Sequence, residues 1–480
     1  MKRTLSLLLA LLLTVPFVSC GEGTANETSA DDTGTGETVT ETDETLPALN
    51  LPEGLDFEGY TYKIYTFDHS AYSIEHIAED LNGDVLNDAI FNRNLDVSEL
   101  LNVQLNAVIN PWNNEDFRAN VMASVMSGSD DYDVFTGNMY NTTYLSAEGY
   151  FFNVNDAPYI DMDNPWWNKS SYDELSIGKN AYLLMGDMCL SNYNLEAVFF
   201  NRDMVEDYDM EDPYTLAYEN EWTIDKLISM TQDFYIDRNG NGIRDEDGSD
   251  LYGFHGKLQS IYNLSNYYVD ITTKTAENYI DVTFHSEKTE TIFNKLKTWM
   301  VESEGSYCPM GWTSAGPLAE EMSCVFTILT LNQCAALRDY DVRYGVVPVP
   351  KYDQLQENYI ATAAGLLVCF PASISNIERS AAVADALSYY GRKYVYPAYV
   401  ENSILTKGTR DEDAQFMIET ILDNVKYNFG AAFGGFQGYG YALLEYCKGN
   451  QGFGSFYAAM STASDKELYD YADKIMALGQ

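Results

Sequence analysis

Two hydrophobic periods alternate along the body of the chain. Tyr60–Phe67 (YTYKIYTF) alternates with aromatic and β-branched residues, the period of a strand. Asp84–Leu101 instead sets Leu86, Ile90, Phe91, Leu95, Val97 and Leu100 at helical spacing. Val103–Ile109 returns to alternation, Asp116–Met126 reads as a second helix, and Tyr132–Phe135 as a short buried strand. This strand–helix order is that of an α/β unit around a largely parallel sheet. The rhythm resumes with strands at Ala197–Phe200, Cys324–Ile328, Tyr344–Val347 and Gly365–Phe370. Helical spacing recurs at Ile224–Phe234, Glu287–Val301 and Ile377–Tyr390. Trp222 and Trp299 fall on helical patterns, where core packing is expected. No internal repeat is evident, and the C-terminal third reads as mainly helical, interrupted by the Gly/Tyr/Phe-rich stretch Gly430–Gly440.

The first 55 residues follow neither period. Lys2 and Arg3 precede an apolar run, Leu5 to Val18, that is shorter than the roughly 20 residues a spanning helix needs. A positive start, a short apolar core and a small residue before the cut read as a secretory signal. Phe17-Val18-Ser19-Cys20 resembles a bacterial lipobox, with Phe17 where Leu is usual. The resemblance implies a signal peptide over 1–19 and lipid on Cys20; an ordinary signal peptide cut near Ser19 is the alternative. Residues 20–55 are dominated by Gly, Thr, Ser, Asp and Glu. Such a composition buries too little surface to offset its ordering entropy, so an extended acidic tether is expected.

Composition narrows the partners of the 56–480 body. The formal charge of −45 repels phosphate backbones, so no nucleic-acid partner is expected, and contact with the membrane is expected through the anchor alone. The chain has 38 Tyr and 6 Trp, more than a core requires, and these rings combine an apolar face with a polar edge. Cys189, Cys308, Cys324, Cys334, Cys369 and Cys447 are scattered without a CxxC pair and fit no zinc spacing, and six cysteines allow fifteen pairings.

Five stretches carry a family resemblance: NDAIFNRNLDVSELLNVQL (87–105), YDVFTGNMYNTTYLSAEGYFFNVND (132–156), NPWWNKSSYDELSIGKNAYLLMGD (164–187), NLEAVFFNRDMVEDYDMEDPY (194–214) and YGVVPVPKYDQLQENY (344–359). In this order they resemble bacterial extracellular solute-binding proteins of the sugar type (family 1), the substrate-binding lipoproteins of ABC importers. The resemblance implies an α/β, two-lobed periplasmic-binding-protein-like fold (type II), with a ligand cleft between lobes that close by hinge motion. It also implies ABC permease subunits as partners and a saccharide, expected to be an oligosaccharide, as the small-molecule solute. The lobes are expected at about 58–160 with 320–365, and 161–319 with 366–480.

A sugar presents an apolar C–H face and a rim of hydroxyls, which call for a flat aromatic and for amide or carboxylate side chains. In α/β sheets ligands lie beyond the carboxyl ends of strands. Asp68, Asn138 and Tyr140 follow strands, and Asp187, Asn192 and Tyr193 precede one, so these are the polar candidates; turn and cap roles are the alternative. Trp112, Trp166, Trp167, Trp312 and Tyr359 are the aromatic candidates, with a structural wedge as the other reading of the Trp166-Trp167 pair.

One further spacing is specific. Asp237, Asn239, Asn241, Ile243 (by its carbonyl) and Asp245 match the first nine positions of an EF-hand loop, with Gly242 at the turn. The twelfth position is Gly248, so Asp247 or Asp250 must close the shell of a structural Ca²⁺. An acidic Gly-rich hairpin without an ion is the alternative. Four histidines, no HExxH, no GxSxG elbow, no P-loop and no dinucleotide fingerprint argue against an enzyme. A glycoside hydrolase needs only two carboxylates and stays open, as does a glycan-binding or sensory lipoprotein not coupled to transport.

Overall fold

The computed structural model describes residues 46–68, 75–245, 248–258, 264–311, 314–362, 365–406, 409–410, 412–434 and 438–479. The lipidation candidate Cys20, the signal segment and most of the tether lie outside the described residues, as do Asp247 and Trp312.

The first α/β unit forms as its periods predict. Strand β1 (Tyr60–Phe67) leads to helix α1 (Val85–Leu101), β2 (Val103–Asn110), α2 (Asn114–Ser127), β3 (Val134–Asn138) and α3 (Met139–Ala147). Each helix begins on a side chain that satisfies its first free N–H groups: Asp84 for α1, Asn113 for α2 and Asn138 for α3. Helix α1 stops where Asn102 turns left-handed (φ 48°), and α2 stops at Gly128 (φ 65°). β1 pairs in parallel with both β2 and β3, which covers it on two sides and buries Tyr62, Ile64, Tyr65 and Phe67.

The chain then builds a second sheet. Strands β4 (Glu196–Asn201), β5 (Tyr235–Asp237), β6 (Asp250–His255), β9 (Ser306–Tyr307), β10 (Cys324–Thr330) and β11 (Tyr344–Pro348) assemble in the order β11-β4-β10-β6-β5, with β9 beside β6. A small hairpin, β7 (Thr272–Lys274) and β8 (Ile280–Val282), stands apart from it. β12 (Leu366–Cys369) returns to the first sheet, antiparallel to β3, giving the order β12-β3-β1-β2. A bridge from Leu184 to Val368 extends that sheet past β12. The chain crosses between the sheets at 185–195 and again between β11 and β12, and later the helices Tyr396–Ile404 and Glu412–Asp423 pass from α1 to β11.

This pairing corrects the expected lobe boundaries. Residues 324–348 belong with β4 in the second sheet, and 366–369 belong in the first, the reverse of the assignment made from sequence. Leu184 also lies with the first sheet. An apolar strand buried on both faces fits either sheet, so its pattern names the element but not its partner.

The C-terminal helix, Phe453–Leu478, touches both parts. Near its start Phe453 packs edge-on against Phe293, whose helix Glu287–Lys297 is followed by a π-helical turn that seats Trp299 on Phe254 of β6. Near its end Lys474 pairs with Glu148 at 2.6 Å, and Asn180 donates to the Ile475 carbonyl at 2.8 Å. Trp222 and Trp299 are core residues as expected, their indole N–H groups donating to Pro348 O and Thr231 Oγ1. Among the described residues no helix is long and apolar enough to cross a membrane. The six cysteines after Cys20 are free thiols.

Candidate functional site

The carboxyl edge of the first sheet gathers most of the expected ligand residues, because parallel strands end there and the helices that follow begin there. Asp68 ends β1, its N–H donating to Asn110 O at 2.8 Å, and its side chain is partly exposed. Trp112 follows β2 with 57% of its surface exposed, its ring 5.0 Å from Phe67. Asn138 ends β3 as the cap of α3, accepting from Asn141 N, and its amide donates to Asn114. Tyr140 lies under the Arg118 guanidinium, 5.0 Å from the ring centre. Leu184 runs antiparallel to β12, so Met185 leaves the sheet on the same edge.

Strand order separates these residues into two groups. Trp112 stands beyond the β2 end of the edge and Asp187 beyond β12. Four strand spacings put roughly 20 Å between them.

The second group closes on itself. Trp167, Asp187, Asn192 and Tyr193 line one cavity of about 310 Å³ with Arg392 and Tyr396. Arg392 lies on a π-helical turn, Gly391–Val395, that directly follows the Ile377–Tyr390 helix. Its guanidinium stacks 3.8 Å from the Tyr396 ring centre and stands 3.9 Å from Asp187 Oδ2 and 3.8 Å from Asp423 Oδ1. Burial lifts the Asp187 carboxyl to about 7, against the opposing pull of Arg392 and the Tyr193 hydroxyl. Asn192 Oδ1 accepts no hydrogen bond among the described residues. A cavity lined by a carboxylate, an amide, a phenol and a guanidinium suits a polyhydroxylated ligand or ordered water.

Two glycines make this packing possible. A Cβ on Gly186 would come within 2.3 Å of the Trp167 ring, and one on Gly391 within 2.1 Å of the Asp187 carbonyl. The Trp166-Trp167 pair packs against the Ile377–Tyr390 helix. Both indole N–H groups donate to Asp385 Oδ1 at 2.7 Å, and both rings are nearly fully buried. Trp166 meets Tyr389 edge-on, and burial raises the Asp385 carboxyl to about 6 against the two indole donors. Trp166 therefore braces a helix, while Trp167 also walls the cavity.

Tyr359 is not brought to this edge. Its hydroxyl donates to Ala217 O at 3.3 Å and the Lys351 ammonium sits 5.0 Å from its ring centre, which ties it to the second sheet's surroundings. The sequence reading missed Arg392, Tyr396 and Asp385. Arg392 was open to notice, as a basic residue just after a helix in a chain short of cations; Asp385 was one of many acidic residues on helical spacing.

The calcium candidates gather on the β5–β6 connection. Asp237 accepts the Gly240 and Gly242 N–H groups at 2.7 and 2.9 Å, and both glycines have φ of 70°. Asn241 accepts from Ile243 N, and the amides of Asn239 and Asn241 donate to Asp245 Oδ2 at 3.4 and 2.7 Å. Asp250 Oδ2 takes Asp245 N–H and the hydroxyls of Tyr235 and Tyr252, while buried Asp250 Oδ1 accepts no hydrogen bond among the described residues. The loop is wound tightly, and most of its side-chain oxygens accept hydrogen bonds from its own backbone and amide N–H groups.

No family model and no curated protein matches the chain. Solved structures do. The ABC transporter solute-binding protein of Thermotoga lettingae, bound to α-D-tagatose, is 12% identical with a TM-score of 0.54, over 85% of this chain and 100% of that one. The ABC substrate-binding protein of Listeria monocytogenes, in complex with cycloalternan, is 11% identical with a TM-score of 0.51, over 87% and 98%. The GacH receptor of Streptomyces glaucescens, solved unliganded and with acarbose, is 12% identical with a TM-score of 0.52, over 88% and 98%. The chain has the α/β, two-lobed fold of these solute-binding proteins.

Proposed function

We propose, from the fold of ABC solute-binding proteins, that this chain captures a saccharide between its lobes and presents it to ABC permease subunits. The observation that carries the reading is the carboxyl edge of the first sheet, where the exposed Trp112 indole packs on Phe67, next to Asp68, and Asn138 ends the strand beyond. An indole face covers the C–H side of a pyranose, and the neighbouring carboxylate and amide exchange hydrogen bonds with its hydroxyls. The neighbours named above were solved with cycloalternan, α-D-tagatose and acarbose, which supports a carbohydrate here. An oligosaccharide fits an edge some four strands long better than a single ring does. Capture needs no catalytic group, so the reading is of a receptor rather than an enzyme.

The anchor and the ion complete the reading. Lipid on Cys20 would hold the receptor on the outer face of the cell membrane, and the acidic tether would let the body reach its permease. A Ca²⁺ held by Asp237, Asn239, Asn241, the Ile243 carbonyl, Asp245 and either Asp247 or Asp250 would brace the β5–β6 hairpin. A thermal-shift screen against a panel of mono- and oligosaccharides, with and without EDTA, tests the saccharide and the ion. A bound saccharide raises the melting temperature by mass action. A shift given by an amino acid, a peptide or an ion, and by no saccharide, would overturn the carbohydrate reading.

A further inference from the structure

We propose that Glu75, His76 and Cys189 form a binding site for one Zn²⁺ ion, which joins the connection after β1 to the segment crossing between the sheets. The ligand atoms of the three lie within 4.8 Å of one another, and the residues are 8%, 2% and 0% exposed. Around a tetrahedral zinc, with bonds of about 2.0 Å to nitrogen and 2.3 Å to sulfur, neighbouring ligand atoms are somewhat closer than this. A contraction of about 1 Å would complete the set.

The atoms that an ion would use are those the protein leaves unpartnered. Glu75 Oε1 accepts from Ser191 N at 2.9 Å and Ser191 Oγ at 2.7 Å, but buried Oε2 accepts nothing among the described residues. His76 Nε2 lies 2.9 Å from Thr136 Oγ1, while buried Nδ1 makes no hydrogen bond of good geometry among the described residues, the Met188 backbone lying close to the ring. With Nε2–H donating to Thr136, Nδ1 keeps its lone pair for a metal, and the threonine fixes the ring as an outer-shell partner does. Leaving two buried polar atoms unpaired in one cluster is costly unless something binds there.

The surroundings hold the three donors in place. Arg93, itself 1% exposed, donates to His76 O at 2.7 Å and to Met188 O at 3.0 Å, so it pins the backbone at one ligand and next to another. Its positive charge opposes a second cation, so both anionic ligands, the Glu75 carboxylate and the Cys189 thiolate, are needed. Binding therefore releases the Cys189 proton to solvent as the sulfur–zinc bond forms. One sulfur, one nitrogen and one oxygen donor make a borderline set that suits zinc over calcium or magnesium, with water as a fourth ligand.

The test is a Co²⁺ titration of the chelator-treated full-length chain, followed by Zn²⁺ displacement. One equivalent should give near-ultraviolet thiolate-to-cobalt absorption together with the visible bands of tetrahedral cobalt. C189S should lose the near-ultraviolet band, E75Q should weaken binding at least tenfold, and D237A should leave both features unchanged. The calcium-type hairpin has only oxygen donors, so it produces no sulfur band. Circular dichroism of each variant reports whether it folds. No sulfur band in the wild-type chain at stoichiometric cobalt, or a band that persists in folded C189S, would overturn the proposal.

Discussion

Asp385 Oδ1 receives both indole N–H groups of the adjacent Trp166 and Trp167, so truncating it strands two buried donors at once. Each unsatisfied donor costs about 1–3 kcal/mol, and D385A should lose roughly 2–5 kcal/mol in a urea-unfolding measurement. D385N keeps one acceptor oxygen and should lose less. Asp187 is tested by pH. Its folded-state carboxyl is raised to about 7 from 3.8, so between those values the folded chain holds a proton that the unfolded chain has released. Its contribution is therefore greatest below the unfolded value and is lost as pH rises through about 7. Unfolding free energies of the wild type and D187N at pH 5 and pH 8 should show the wild type losing more stability over that rise. An equal loss in both would remove Asp187 as the source. At this scale the sequence was partly readable. Pro165 and the flanking Asn and Asp residues marked the tryptophan pair as unusual, but the acceptor that explains it lies more than two hundred residues away.

Elements were more legible than their partners. Tyr60–Phe67 and Ile377–Tyr390 form over the residues their periods indicate. Tyr132–Phe135 shifts to Val134–Asn138, because Asn138 serves both as the last strand residue and as the cap of α3. The helix expected over Glu287–Val301 keeps α geometry only to Lys297 and then widens into a π turn. The exchange of β10, β11 and β12 between sheets was not readable, since a doubly buried strand shows no face. The crossing segment carries its own test: G186A places a methyl group against Trp167 and Ser388 Oγ and should cost about 1–3 kcal/mol by overpacking. The β5–β6 hairpin is tested with Tb³⁺, whose emission is sensitised by nearby tyrosines such as Tyr235 and Tyr252. Calcium should quench that emission by displacement, and D237A should lose it. Sensitised emission unchanged in D237A would place the ion elsewhere.

Across the described residues, the two sheets are linked by the 185–195 segment, by the β11–β12 connection, by the helices Tyr396–Ile404 and Glu412–Asp423, and by a C-terminal helix that touches both parts. The candidate polar and aromatic residues were visible in the sequence. Their division between an exposed edge at Trp112 and a cavity at Asp187 was not, because it follows from strand order.

The receptor reading rests most directly on Trp112, and isothermal titration of the saccharide panel into wild-type chain and W112A measures it. The account predicts that at least one saccharide binds the wild type and that W112A binds it about tenfold more weakly, the loss of one stacking contact worth roughly 1 kcal/mol or slightly more. Saccharide binding of equal strength in folded W112A would contradict the assignment of the edge, and the absence of any saccharide binding to the wild type would contradict the function.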